Sequence, residues 1–149
     1  MKSARVWMFS AVLMCVAASD ANALEFKSVG AEPAVLYDAP SARGRKVFVA
    51  PRGMPVEVVL AYGSWTKVRD ASGDLAWIDS KLLVPQRNVV VNVANVRVRT
   101  AAEESAPIAF TADKGVLLEM SEAVTGGWVK VRHRDGQSGY VKASEVWGE

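Results

Sequence analysis

The chain has 149 residues, half of them hydrophobic, and its 18 basic and 16 acidic side chains give a net charge of +2. So small a net charge creates no field that favours DNA, RNA or an anionic membrane surface as a partner. The single cysteine, Cys15, and the single histidine, His133, exclude an intramolecular disulfide and a Cys/His zinc cage, and we expect no metal and no cofactor.

Residues 1–23 have the three-part layout of a secretory signal peptide. Lys2 and Arg5 precede an apolar core at residues 6–18, and residues 21–23 form a small-x-small cleavage site. The core is too short for a membrane anchor, which needs about 20 apolar residues. We expect cleavage after residue 23, no membrane span afterwards, and a periplasmic or secreted protein. Lipidation at Cys15 is the alternative.

From residue 24 on, apolar and polar residues alternate at strand period. In Trp65–Arg69, Val68 faces one way, whereas Trp65, Lys67 and Arg69 face the other. Val56, Val58 and Leu60 form a similar run. Turn signals separate such runs: Pro51-Arg52-Gly53, Tyr62-Gly63-Ser64, Ser72-Gly73-Asp74, Asp113-Lys114-Gly115, Thr125-Gly126-Gly127 and Asp135-Gly136. Short strands with turns at this spacing predict an all-β protein.

The same unit occurs twice. WTKVRDASGDLAWIDSKLL, which starts at Trp65, aligns with WVKVRHRDGQSGYVKASEV, which starts at Trp128, at an offset of 63 residues. The alternation recurs in the second copy, where Val129 and Val131 face away from Trp128. Pro85 marks the boundary because proline cannot donate a ladder hydrogen bond. We therefore predict a first domain at residues 24–85 and a second domain at residues 86–149.

The second copy resembles a bacterial SH3-like (SH3b) domain. The resemblance rests on Gly127-Trp128-Val129-Lys130-Val131-Arg132, on Gly139-Tyr140-Val141, and on the opening motif Asn95-Val96-Arg97-Val98-Arg99. The first copy resembles the variant of this family found in Gram-negative bacteria, through residues 36–41, 52–58 and 65–70. It departs from the family with Ala76 in place of the glycine before the aromatic residue and with Leu36-Tyr37-Asp38 in place of Asn-x-Arg. The resemblance implies two tandem small β-barrels of five or six strands, each with a long first loop, at residues 37–45 and 99–107. It also implies extracytoplasmic binding work, often near peptidoglycan.

Aromatic residues beside cations are the strongest candidates for binding. Such rings stack on a ligand while a neighbouring cation holds a carboxylate, as recognition of a peptide requires. By the resemblance, the first loop adds a tyrosine to this groove. The alternative is that the rings cover the second face of each barrel or lie buried between the domains. The candidate groove consists of Tyr37, Trp65, Lys67, Trp77, Trp128, Lys130, Arg132 and Tyr140.

Other polar and aromatic residues have structural explanations. Trp147, two residues from the end, is predicted to pack and to hold the tail in place. His133 precedes a turn and has no paired catalytic motif. Asp70, Asp74 and Asp79 miss the alternate-residue spacing of a calcium loop, so we expect turn carboxylates.

The sequence therefore predicts a monomeric, non-catalytic binding protein. Its expected ligands are peptides or the stem peptides of peptidoglycan. The alternative is a structural or interaction protein of the cell envelope, whose aromatic faces pack between the domains or dock a protein partner.

Overall fold

The structure is a computed structural model that describes residues 24–149, so the predicted signal peptide lies outside the described residues. Two antiparallel sheets of seven strands each make up the fold, as the alternation predicts. The strands of the first sheet are β1 (Phe26–Val29), β2 (Ala34–Tyr37), β3 (Lys46–Ala50), β4 (Pro55–Tyr62), β5 (Trp65–Arg69), β6 (Leu75–Asp79) and β7 (Leu83–Val84). Those of the second are β8 (Asn88–Val91), β9 (Val96–Arg99), β10 (Ile108–Ala112), β11 (Leu117–Met120), β12 (Trp128–Arg132), β13 (Ser138–Lys142) and β14 (Val146–Trp147).

The two sheets share one topology. The first has the order β3-β2-β6-β5-β4-β1-β7 and the second the order β10-β9-β13-β12-β11-β8-β14. Each strand number in the second order is seven higher than the corresponding number in the first, so the two orders are the same. A single 3₁₀ turn precedes the last strand of each sheet, at Ser80–Leu82 and at Ala143–Glu145. No helix in residues 24–149 is long and apolar enough to cross a membrane. The domain division at residues 85 and 86 stays a prediction.

The sheets differ from the expected barrels in strand number and in closure. Each has seven strands rather than five or six, and within residues 24–149 its two edge strands do not pair with each other. The last strand of each sheet has only two residues and pairs on one side, with β1 or β8. A strand this short adds an edge to the sheet without closing it.

Each core consists of the inward-facing residues of its own sheet. Val68, Val129 and Val131 are buried, which confirms the faces predicted from alternation. Leu60 is an exception, since 45% of it is exposed. The register of β4 against β5 shifts between Val58 and Leu60, and this bulge turns the end of β4 outward.

The two domains meet at a small seam. The ring of Trp147 packs edge-on against that of Phe26, with centroids 5.2 Å apart, and the guanidinium of Arg87 lies 5.4 Å from the centroid of Phe26. The side-chain amide of Asn88 donates to the carbonyl oxygen of Gly53 at 2.9 Å. Trp147 therefore packs, as predicted, and it does so across the domain boundary.

Candidate ligand-binding face

The outer face of the first sheet carries the predicted aromatic residues of that domain. Register places Tyr37 of β2 opposite Trp77 of β6, and Trp77 opposite Lys67 of β5. Tyr37 packs edge-on against Trp65 at 5.5 Å, and the Lys67 ammonium lies 5.9 Å from the centroid of the Trp77 ring. Tyr62, which the sequence did not indicate, packs edge-on against Trp77, with ring centroids 6.5 Å apart. The structure brings all four predicted residues of this domain together, and their role in binding stays a prediction.

A cleft of about 420 Å³ opens beside Lys67 and Trp77. The ends of β2 and β3, the loop between them, and the β5–β6 turn form its walls. Its lining is mixed, with apolar, cationic and acidic side chains in reach of one another. The lining residues are Leu36, Asp38, Arg45, Val47, Phe48, Lys67, Asp70, Asp74, Leu75, Ala76 and Trp77.

Hydrogen bonds fix two of the carboxylates in this cleft. One oxygen of Asp38 accepts from the backbone N–H of Arg45 at 2.8 Å, and the other lies 3.5 Å from the Arg45 Nε, so this pair closes the first loop. Asp70 accepts from the backbone N–H groups of Ser72 and Asp74 at 2.9 and 3.0 Å. Asp70 is thus a turn carboxylate, as predicted, but it also lines the cleft. Only the pairing of β2 with β6 and of β6 with β5 brings these segments together.

The cations predicted for the second domain already have acidic partners. The Lys130 ammonium lies 3.1 Å from Glu122, and one Arg132 nitrogen lies 3.0 Å from both carboxylate oxygens of Glu119. The hydrogen bond from Lys130 to Glu122, together with the charge of that carboxylate, raises the pKa of Lys130. Lys130 also lies 5.9 Å from the centroid of the Tyr140 ring, its partner in register. In contrast, Lys67 has no carboxylate within salt-bridge distance in the described part of the chain.

The remaining residue of the predicted groove, Trp128, lies half-buried at the start of β12. Its register partner is Lys142 of β13. The structure therefore places Trp128, Lys130 and Arg132 on one face of β12, as alternation predicts, and none of the three lines the cleft of the first domain.

The sequence-family model of the bacterial SH3 domain matches this chain twice, at residues 30–85 and 92–148. The chain belongs to this family. The match confirms the resemblance in both copies, including the first copy with its Ala76. The tandem bacterial SH3 domains account for both sheets.

Solved structures with similar chain traces are distant. NlpC1 from Trichomonas vaginalis is 12% identical, with a TM-score of 0.40, and the match covers 89% of this chain and 49% of that chain. An NlpC/P60 family protein from Bacillus cereus is 14% identical, with a TM-score of 0.38, over 82% of this chain and 55% of that one. The chain thus spans about half the length of these structures. Comparison with curated proteins finds no match.

The histidine of the second SH3 domain has a carboxylate partner that sequence reasoning missed. His133 Nδ1 lies 3.0 Å from Asp135, which also accepts from the backbone N–H of Gln137 at 3.0 Å. This backbone hydrogen bond is the main cause that lowers the pKa of Asp135, and the bond with His133 adds to it. In residues 24–149 no hydroxyl donates to this imidazole, and no group of three metal-ligating side chains occurs. The contact stabilises the β12–β13 turn.

Proposed function

We propose that the tandem bacterial SH3 domains form a non-catalytic, extracytoplasmic binding protein for peptides, including the stem peptides of the cell wall. The outer face of the first domain is the main binding surface. Membership in the bacterial SH3 domain family and the predicted signal peptide support the extracytoplasmic assignment. The half-buried rings of Tyr37, Trp65 and Trp77 support the binding role, since each offers area for stacking.

The observation that carries this proposal is the cleft beside Trp77. Val47, Phe48 and Leu75 offer apolar walls for a ligand side chain or methyl group. Lys67 has its ammonium available for a ligand carboxylate, and Asp74 provides an opposite charge for a ligand ammonium. A volume of about 420 Å³ lies in the usual range for small ligand sites and accommodates a few amino-acid residues.

Binding is tested with purified peptidoglycan and with soluble muropeptides. We expect muropeptides to shift the indole NMR signals of Trp65 and Trp77, and Lys67→Gln to weaken binding about tenfold through loss of a charged hydrogen bond. Lys114→Gln is the matched control, because Lys114 is exposed in the second domain and lies outside both clefts. If Lys67→Gln and Trp77→Ala both remain folded and bind peptidoglycan as the unaltered protein does, the assignment of this face is wrong.

A second candidate function is docking of an envelope protein at the edge of the first sheet. Among the strands of residues 24–149, β3 pairs with β2 alone, and its residues Val47, Phe48 and Val49 are all exposed, with 62% of Val49 accessible. An unpaired apolar edge supports strand addition by a partner chain. Val49→Lys would block such a partner and leave muropeptide binding unchanged, so the same titration separates the two functions.

A further inference from the structure

A second cleft, of about 310 Å³, lies on the outer face of the second domain, where it borders the predicted groove residues Trp128 and Tyr140 without being lined by them. Its lining residues are Asn95, Arg97, Arg99, Lys142 and Glu145. Strand alternation explains how the cations meet. Val96 and Val98 are buried, so Arg97 and Arg99 point to the outer face of β9. Register places Tyr140 of β13 opposite Arg99, and Lys142, two residues farther along the same face, therefore lies beside Arg97.

The three cations differ in how many hydrogen bonds and ion pairs they already make within the protein. Arg97 is exposed and has no hydrogen-bond or ion-pair partner in residues 24–149. Arg99 donates one N–H to the carbonyl oxygen of Ala106 at 2.8 Å, which holds its guanidinium in place and leaves other donors free. Lys142 donates a hydrogen bond to Glu104, and this bond, the charge of Lys142 and, to a smaller extent, the charge of Arg99 lower the pKa of that carboxyl group. Two guanidinium groups, one of them anchored, thus remain for a ligand.

The cationic character of this cleft is specific to the second domain. The position equivalent to Arg99 is Tyr37 in the first domain, because each is the register partner of the aromatic residue on its neighbouring strand. Lys142 likewise corresponds to Asp79, since they are the register partners of Trp128 and Trp65. One scaffold therefore presents aromatic and acidic groups in one copy and cationic groups in the other.

We propose that this cleft binds the free C-terminal carboxylate of a peptide between Arg97 and Arg99. The planar guanidinium group matches a carboxylate with two parallel hydrogen bonds, which a lysine ammonium does not provide. Glu145 in the same lining accepts an N–H from the peptide and repels a doubly charged phosphate. The site adds a second ligand contact to the protein and does not require that the first cleft bind anything.

The test is a two-dimensional NMR titration of the purified protein with N-acetyl-Ala-Ala, with its C-terminal amide, and with inorganic phosphate. We expect the acid to shift the amide signals of Asn95 and Arg99 and the amide form to leave them unchanged. Arg97→Gln should weaken binding of the acid about tenfold, as loss of a charged hydrogen bond does, and Arg97→Lys should restore part of it. Arg134→Gln, an exposed change elsewhere in the same domain, should have no effect.

Three results would overturn the proposal. The first is equal shifts with the acid and the amide, and the second is unchanged affinity for the acid in Arg97→Gln. The third is binding of phosphate but not of the acid, which would identify a different anion. Arg97 is exposed and makes no hydrogen bond or ion pair within residues 24–149, so we expect its variants to fold, and an unchanged circular dichroism melting curve checks this. The indole signal of Trp77 reports the first cleft separately, and failure of either site is therefore distinguishable from failure of the other.

Discussion

The close approach of β13 to β9 gives the sharpest quantitative prediction, for Gly139→Ala. A Cβ atom at Gly139 would lie 2.5 Å from the carbonyl oxygen of Arg99 and 2.8 Å from a methyl carbon of Val98. Ordinary van der Waals contact begins at 3.4 Å, so the strands must separate by about 0.9 Å, the difference between 3.4 and 2.5 Å. Because the nearest atom belongs to the backbone, no side-chain rotation relieves the contact.

Overpacking of this kind costs about 1–3 kcal/mol of the free energy of unfolding. For a domain of this size, each kcal/mol lowers the melting temperature by about 4–8 °C, so a mid-range cost of about 2 kcal/mol corresponds to about 8–16 °C. Thermal unfolding, followed by near-ultraviolet circular dichroism and calorimetry, measures this fall in melting temperature. The displaced strand also carries Arg99, so we expect the amide signal of that residue to shift and carboxylate binding in the second cleft to weaken.

The first domain provides a matched control, because Ala76 occupies the position equivalent to Gly139. Ala76 is 8% exposed, and the first sheet accommodates its methyl group. We expect Ala76→Gly to cost about 1 kcal/mol through added backbone freedom and to leave the second domain unchanged. A loss below about 0.5 kcal/mol in Gly139→Ala, with the Arg99 amide signal in its original position, would refute the steric argument, since surface-like costs are of that size.

Two further predictions concern the seam and the β12–β13 turn. Phe26→Ala removes the edge-on partner of Trp147 and should lower the free energy of unfolding of the first domain by about 3–5 kcal/mol. The fluorescence emission of Trp147 should shift to the red because its ring becomes more exposed to water. Unchanged emission would contradict contact across the seam. The lowered pKa of Asp135 means that its contribution to stability is present above the ordinary value of 3.8 and is lost as the pH falls through the lower folded value. The amide shift of Gln137 should therefore titrate below pH 3.8, and Asp135→Asn should abolish that titration.

The strands were predictable because alternation is a local signal. Trp65 to Arg69 forms β5 with Val68 inward, and residues 128–132 form β12 with Val129 and Val131 inward, as the side-chain period of two requires. The two-residue strands β7 and β14 carry no such period. They form because a 3₁₀ turn returns the chain to β1 or β8, which is a tertiary effect. The exposure of Leu60 likewise depends on a bulge that its own sequence does not mark.

The sequence predicts which residue types form the candidate site, but it predicts only in part which of their side chains are free to meet a ligand. Alternation places Trp65 and Lys67 on one face, and the structure brings Tyr37 and Trp77 to them through strand pairing. Whether a cation is free depends on distant segments. Lys130 meets Glu122 from the preceding turn region, and no spacing within β12 indicates that contact. The second cleft escaped prediction for the same reason, since β9 and β13 are far apart in sequence.

The two copies share one scaffold, but the side chains on their outer faces differ in chemistry. The positions that remain identical between the copies include the tryptophans at 65 and 128 and the lysines at 67 and 130. The exchange of Tyr37 for Arg99 and of Asp79 for Lys142 alters the outer face without disturbing the inward residues. The contacts at the seam hold these two unlike faces in one chain. If both proposed clefts bind, a ligand that spans them gains affinity through effective concentration only where its length matches the distance between them, and the contact of Phe26 with Trp147 limits that distance.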